Sequence, residues 1–235
     1  MSESIYLALD FPTWNEASEF IESHDFYGIP VKVGMELYYR EGPQIIEKLK
    51  ENNHKIFLDL KLHDIPTTVM RAMKVLANLE VDMVNVHALG GSEMIAYARE
   101  GLVSGSSGFD TKLLAVTVLT SMGEVALNKE LGIQTDVTDT VVRLANVAKQ
   151  NDADGVVCSV QEASQIKATC GSGFITVTPG IRLYNSNVND QVRVATPKFA
   201  RNNGADYLVM GRSITNATNP REAYEQAIAE WEESR

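Results

Sequence analysis

The chain has 235 residues, of which 44% are hydrophobic and 22% charged, a balance that excludes disorder and suits one large domain or two small ones. Its formal net charge of −10 argues against general binding to nucleic acid or anionic membrane, both of which demand a basic surface. No apolar run approaches the roughly 20 residues needed to cross a bilayer, no secretory signal opens the chain, and Cys158 and Cys170 lack zinc-type or redox-type spacing, so a cytoplasmic protein with reduced thiols is expected.

Short apolar, β-rich runs alternate with longer helical patterns from one end to the other, with no linker or low-complexity stretch between them. A strand at 5–9 precedes a helix at 13–23, a strand at 31–34 precedes a helix at 42–51, and a strand at 55–60 precedes a helix at 67–79. The pattern continues with strand 83–86 and helix 92–103, strand 113–119 and helix 137–149, strand 155–159 and helix 161–167, and strand 174–178 and helix 197–202. A last strand at 207–210 leads to a closing helix at 220–231, where Pro220 suits a helix first turn. Such alternation predicts parallel strands. The expected fold is therefore α/β, a TIM (β/α)8 barrel built by residues 1–235 as a single domain, with an open doubly wound sheet as second choice.

In a barrel, function collects at the C-terminal ends of the strands. The third strand carries the densest chemistry there, in the stretch IFLDLKLHDIPTTV at 56–69. Alternation puts Asp59 and Lys61 on one face and Leu58, Leu60 and Leu62 on the other, and Asp64 follows just past the strand. Polar groups converge on the same rim from other strands: Asp10 from the first, Lys32 and Gly34 from the second, Asn85 and His87 from the fourth, Thr120 and Ser121 from the fifth. Buried Lys and Asp cost several kcal/mol per ion unless paired, so this concentration reads as a site and not as a core. His87 reads as a hydrogen-bonded structural histidine. Loops after the last two strands of such barrels commonly bind phosphate, and Gly180, Ile181 and Arg182, with Gly211, Arg212 and Ser213, supply free backbone and two guanidiniums. Residues 183–194, long and rich in Asn, are a candidate lid from which Gln191 could offer an amide.

The run from 56 to 69 resembles the signature of the orotidine 5′-phosphate decarboxylase family, D-x-K-x-x-D-I-P-x-T, matched here by Asp59, Lys61, Asp64, Ile65, Pro66 and Thr68. Similar short motifs extend along the chain: A-L-D ending at Asp10, K-V-G at Lys32, V-H-A at His87, L-T-S at Thr120, P-G-I-R ending at Arg182, Gln191 with Arg193, and M-G-R ending at Arg212. Thr67 departs from the Asn that relatives often carry. The resemblance implies a homodimeric barrel that converts orotidine 5′-monophosphate to uridine 5′-monophosphate and CO2, the last step of de novo pyrimidine synthesis, with neither metal nor organic cofactor. It also implies a Lys-Asp-Lys-Asp array of Lys32, Asp59, Lys61 and Asp64 around the reacting carbon, with Asp64 shared across the dimer interface. By the same implication Asp10 and Lys32 touch the ribose, Thr120 meets the pyrimidine, Gln191 bridges base and phosphate, and Arg182, Gly211 and Arg212 hold the phosphate. Ile65, Pro66, Thr67 and Thr68 complete the substrate-binding run.

That assignment is chemically coherent. Loss of CO2 from C6 of the pyrimidine leaves an in-plane anion with no adjacent carbonyl to delocalise it, so a fixed positive charge is needed there, and Lys61 is the expected proton donor. Neighbouring carboxylates favour its ammonium form. One rival is a metal-dependent sugar-phosphate decarboxylase or aldolase of the same superfamily, which shares D-x-K-x-x-D but uses an acid where this chain has Lys32. A second is a non-catalytic barrel that binds a phosphorylated ligand, since a fold alone gives no function. A nucleic-acid-binding module meets the acidic charge and the lack of a basic stripe.

Overall fold

In the computed structural model, which describes residues 3–183 and 195–233, eight parallel strands close into a barrel in sequence order. The chain runs β1 (Ile5–Ala8), α1 (Trp14–Ser23), β2 (Val31–Gly34), α2 (Met35–Glu41), α3 (Gln44–Glu51), β3 (Ile56–Leu62), α4 (Pro66–Ala77), β4 (Met83–His87), α5 (Gly91–Gly105) and β5 (Lys112–Val116). It continues with α6 (Val137–Gln150), β6 (Gly155–Val157), α7 (Val160–Cys170), β7 (Ile175–Pro179), α8 (Pro197–Asn202), β8 (Tyr207–Met210), α9 (Arg212–Thr215) and α10 (Pro220–Glu232). Pairing of β1 with β8, Ile5 opposite Leu208, closes the ring. This is the expected α/β TIM barrel, and closure removes the open-sheet alternative.

Sequence signals set most of the boundaries. Thr13, Asp136, Thr196 and Asn219 each accept a hydrogen bond from a first-turn backbone N–H, and Ser159 with Glu162 forms a capping box. The expected helix at 42–51 forms as α3, and a further helix that the pattern did not indicate, α2, precedes it directly after β2. Gly42, with φ of 71°, ends α2 and does not open α3. The fifth strand ends at Val116, earlier than expected, and the Val157 carbonyl accepts both the ladder N–H and the Oγ1 of Thr117 beyond it.

Two apolar layers hold the ring. Tyr6, Phe57, Leu114 and Val177 pack inside the barrel, with Tyr6 edge-on to both Phe57 and Tyr207. Outside, the helices cover the strands in a larger core, and α10 is tied to β1 by a hydrogen bond from Tyr224 to the Ile5 carbonyl. Contact between α4 and α5 depends on glycine, since a Cβ at Gly101 would overlap the Met70 carbonyl. At the N-terminal mouth three aspartates, each just before an even-numbered strand, make the same clamp. Asp82, Asp154 and Asp206 accept from the backbone N–H of Ile56, Leu113 and Thr176 at 2.7, 2.7 and 2.8 Å, and donate their own N–H to the carbonyls of those residues.

Candidate active site

The opposite mouth holds a cavity of ≈ 250 Å³ lined by Asp10, Lys32, Asp59, Lys61, Thr120, Arg182, Gly211 and Arg212 among others. These eight residues, all singled out from the sequence, are thus gathered in one place, and Gly180 joins them. Apolar walls come from Ala8, Phe57, Val116, Val157 and Val209.

The charged side is a chain of alternating sign. Lys32 Nζ donates to Asp10 Oδ1 at 2.6 Å and lies 3.8 Å from Asp59 Oδ2, while Lys61 Nζ donates to Asp59 Oδ1 at 2.7 Å. Asp59 therefore stands between two ammonium groups. The Lys32 side chain is 9% exposed and that of Asp59 15%, whereas Asp10 is 62% exposed and Lys61 29%. Paired charges at this depth offset much of their desolvation, and the Lys61 head still reaches the open cavity. Gly34 lies against the pair, where a Cβ would stand 3.2 Å from Lys32 Nζ and 3.5 Å from Asp10 Oδ1 and press on the ammonium end.

Local backbone geometry aims these groups. Strand β3 advances four residues, Leu58 to Leu62, while β4 advances two, Val84 to Val86, so the ladder is broken at the charged residues. Lys61 adopts a φ of 51°, the left-handed region that a non-glycine residue enters at a cost of order 1 kcal/mol or more. Residue alternation along the stretch did indicate that Asp59 and Lys61 share a destination; it gave no sign of this bulge. Asn85 of β4 faces the bulge and bonds to both of its charged residues, accepting from Lys61 N–H and donating to Asp59 Oδ1, each at 2.7 Å.

The anion-binding end forms where β7 and β8 finish. Gly180, with φ of 82°, turns the chain after Pro179, and Arg182 is buried with its Nη1 donating to the Ile181 carbonyl. Ser213 Oγ donates to that same carbonyl, joining the two strand ends. Arg182 and Arg212 both face the cavity.

Other expected residues lie elsewhere. Asp64, Ile65, Thr67 and Thr68 are exposed and Pro66 is half-buried at the start of α4, outside the cavity lining; Asp64 Oδ1 accepts from the Ile65 N–H at 2.7 Å. Gln191 and Arg193, with most of the candidate lid at 183–194, fall outside the described residues. His87 corrects the expectation made of it, for its buried Nδ1 has no hydrogen-bond partner and its ring stacks on His63 at 5.4 Å. Among the described residues no group of three or more His, Cys, Asp and Glu could hold a metal ion, and no helix is long and apolar enough to cross a membrane.

Comparison with known proteins places the chain in a family. Residues 3–227 match the model of the orotidine 5′-phosphate decarboxylase / HUMPS family. A Bacillus cytotoxicus protein named orotidine 5′-phosphate decarboxylase is 54% identical over 234 residues, spanning 99% of this chain and 98% of its own. The crystal structure of orotidine 5′-phosphate decarboxylase from Lactobacillus acidophilus is similar with a TM-score of 0.87 at 41% identity, covering 98% of this chain and 99% of that one. The enzyme of that name from Pyrococcus horikoshii gives a TM-score of 0.74 at 27% identity, covering 97% and 99%.

Proposed function

The chain belongs to the orotidine 5′-phosphate decarboxylase / HUMPS family and catalyses the decarboxylation of orotidine 5′-monophosphate to uridine 5′-monophosphate and CO2, and we propose that it does so with Lys61 as proton donor. The observation that carries this assignment is the Lys61 ammonium, hydrogen-bonded to Asp59 on the cavity wall and itself still open to the cavity.

In this reading the departing carboxylate leaves an electron pair at C6 of the pyrimidine, and the Lys61 ammonium both stabilises that pair and delivers the proton that replaces CO2. Lys32 and Lys61 hold the Asp59 carboxylate against the leaving group, while Asp10 and Lys32 bind the ribose and Thr120 the pyrimidine. At the far end Arg182, Gly211 and Arg212 take the phosphate, so binding energy remote from C6 is available to lower the chemical barrier. Lys32 bears on the metal-dependent rival as well, since an ammonium in 2.6 Å contact with Asp10 occupies the place where those enzymes need an acid.

We further propose a cytoplasmic homodimer in which Asp64, with Ile65, Pro66, Thr67 and Thr68, completes the partner's cavity. Ile65 is 65% exposed beside an exposed Asp64, an apolar side chain and a carboxylate poised at one edge of the mouth. Such exposure fits a surface that a second copy covers.

The decisive experiment follows the pyrimidine absorbance of orotidine 5′-monophosphate with chelator-treated protein. Wild type turns over fully, and Lys61→Ala loses nearly all turnover while binding uridine 5′-monophosphate within about tenfold of wild type. Near-wild-type turnover by Lys61→Ala would remove the proton donor from this scheme, and loss of wild-type activity in chelator would favour the metal-dependent rival.

A further inference from the structure

The bulge in β3 poses a question that the reaction does not answer: what holds Lys61 in a left-handed backbone while its side chain lines the cavity. Between Leu58 and Leu62, Asp59, Leu60 and Lys61 all stand opposite one residue of β4, Asn85. Asn85 is 1% exposed, and a buried primary amide is costly unless both of its ends are paired. Here both are. The carbonyl takes the Lys61 backbone N–H at 2.7 Å, and the amino group reaches Asp59 Oδ1 at 2.7 Å, the same oxygen that accepts from Lys61 Nζ.

We propose that Asn85 is a positioning residue for the decarboxylation, its side-chain amide standing in for the missing ladder and locking the Lys61 backbone and the Asp59 carboxylate into one rigid unit. This rests on the roles given above to Lys61 and Asp59. Two ammonium groups alone do not fix a carboxylate, because each rotates about its long side chain and makes contacts of no set direction. A planar amide on a central strand of the barrel does fix it. By donating to Oδ1, Asn85 orients the carboxylate so that Oδ2 is left toward Lys32; by accepting from Lys61 N–H it keeps the turn that aims the ammonium. Geometry of this kind matters because a displacement of about 1 Å at reacting groups costs roughly 100-fold in rate. Asn85 does not line the cavity, so its effect on turnover must pass through its two partners.

The test compares Asn85→Ala, which removes both bonds, with Asn85→Asp, which keeps the shape and an acceptor for the Lys61 N–H. Lys61→Ala is run in parallel. For Asn85→Ala, kcat falls about 100-fold while binding of uridine 5′-monophosphate, anchored at the phosphate end, changes less than about threefold. In Asn85→Asp a second carboxylate replaces the donor against Asp59, and the two cannot readily ionise together, so the acid limb of the kcat–pH profile moves to higher pH. Should Asn85→Ala fail to fold, Asn85→Asp decides alone. A purely structural amide would lower the melting temperature yet leave kcat per folded site, read on the pH plateau of either variant, as in wild type, and that result overturns the proposal while Lys61→Ala stays inactive. If Lys61→Ala itself remains active, the reading of the site falls and the role of Asn85 falls with it.

Discussion

At the scale of single residues, the histidines show how burial leads in setting a chemical state. His54 Nδ1 lies 2.8 Å from the Ile29 carbonyl, which can only accept, so the proton sits on Nδ1 and Nε2 is the bare nitrogen. Nε2 is buried and has no partner. Protonation would create an N–H with nothing to receive it, and burial accordingly pushes the group below its ordinary value of 6.5, against a smaller opposing effect of the Ile29 hydrogen bond. His87 is pushed the same way, first by burial and then by His63 and Lys61. As pH falls through 6.5 the unfolded chain takes up these protons before the folded one does, so folded-state stability declines; above that pH the two histidines contribute no slope. Urea unfolding at pH 7.5 and 5.5 is expected to show the loss, and His54→Gln, which can still donate to Ile29, loses less on acidification than wild type. Equal losses in the two proteins would mean that His54 is not titrating as described.

At the scale of elements, local patterns carried the fold and long-range contacts carried the details that patterns could not. Eight β-rich runs and the helices between them were legible because each strand signal is short, apolar and bounded by helical periodicity. Helix α2 was not, since it follows β2 with no loop and ends at Gly42, a residue equally suited to starting the next turn. The D-x-K pair and the two Gly-Arg ends announced the cavity, yet the bulge depends on Asn85 from another strand, and no pattern along β3 encodes it. The aspartate clamps are a similar case. V-D-M, A-D-G and A-D-Y, at 81–83, 153–155 and 205–207, repeat one dipeptide position before alternate strands, a signal that acquires meaning only once each carboxylate is seen on the preceding strand's N–H. Asp154 also pairs with Arg99. Asp154→Ala leaves the Leu113 N–H without its side-chain acceptor and is expected to cost about 2–3 kcal/mol of unfolding free energy in urea. Asp154→Asn, keeping an acceptor, is expected to cost about half as much. Because the clamps lie at the mouth opposite the cavity, kcat of both variants stays at the wild-type value; a fall in kcat without a loss of stability would show that they serve the site.

At the scale of the molecule, an acidic chain presents a cationic mouth. Against a net charge of −10, the cavity places Lys32, Lys61, Arg182 and Arg212 with only Asp10 and Asp59, an imbalance that draws in an anionic nucleotide while the acidic exterior repels nucleic acid. This mouth contains one end of the expected Lys-Asp-Lys-Asp array and lacks the other: within the chain the sequence of charges is Asp10, Lys32, Asp59, Lys61, and Asp64 stands outside it. The proposed dimer accounts for that gap by giving each cavity an Asp64 from its neighbour. Two-fold symmetry then makes a strong demand. Lys61→Ala and Asp64→Ala should each be inactive as pure dimers, since every site lacks one group. In a heterodimer of the two, one site receives neither substitution and the other receives both. Random reassociation of an equal mixture makes half of all dimers mixed, so activity should return to about a quarter of the wild-type value. Chains that act alone give no recovery at any ratio, and an active Asp64→Ala dimer would show that the carboxylate is not needed for the chemistry.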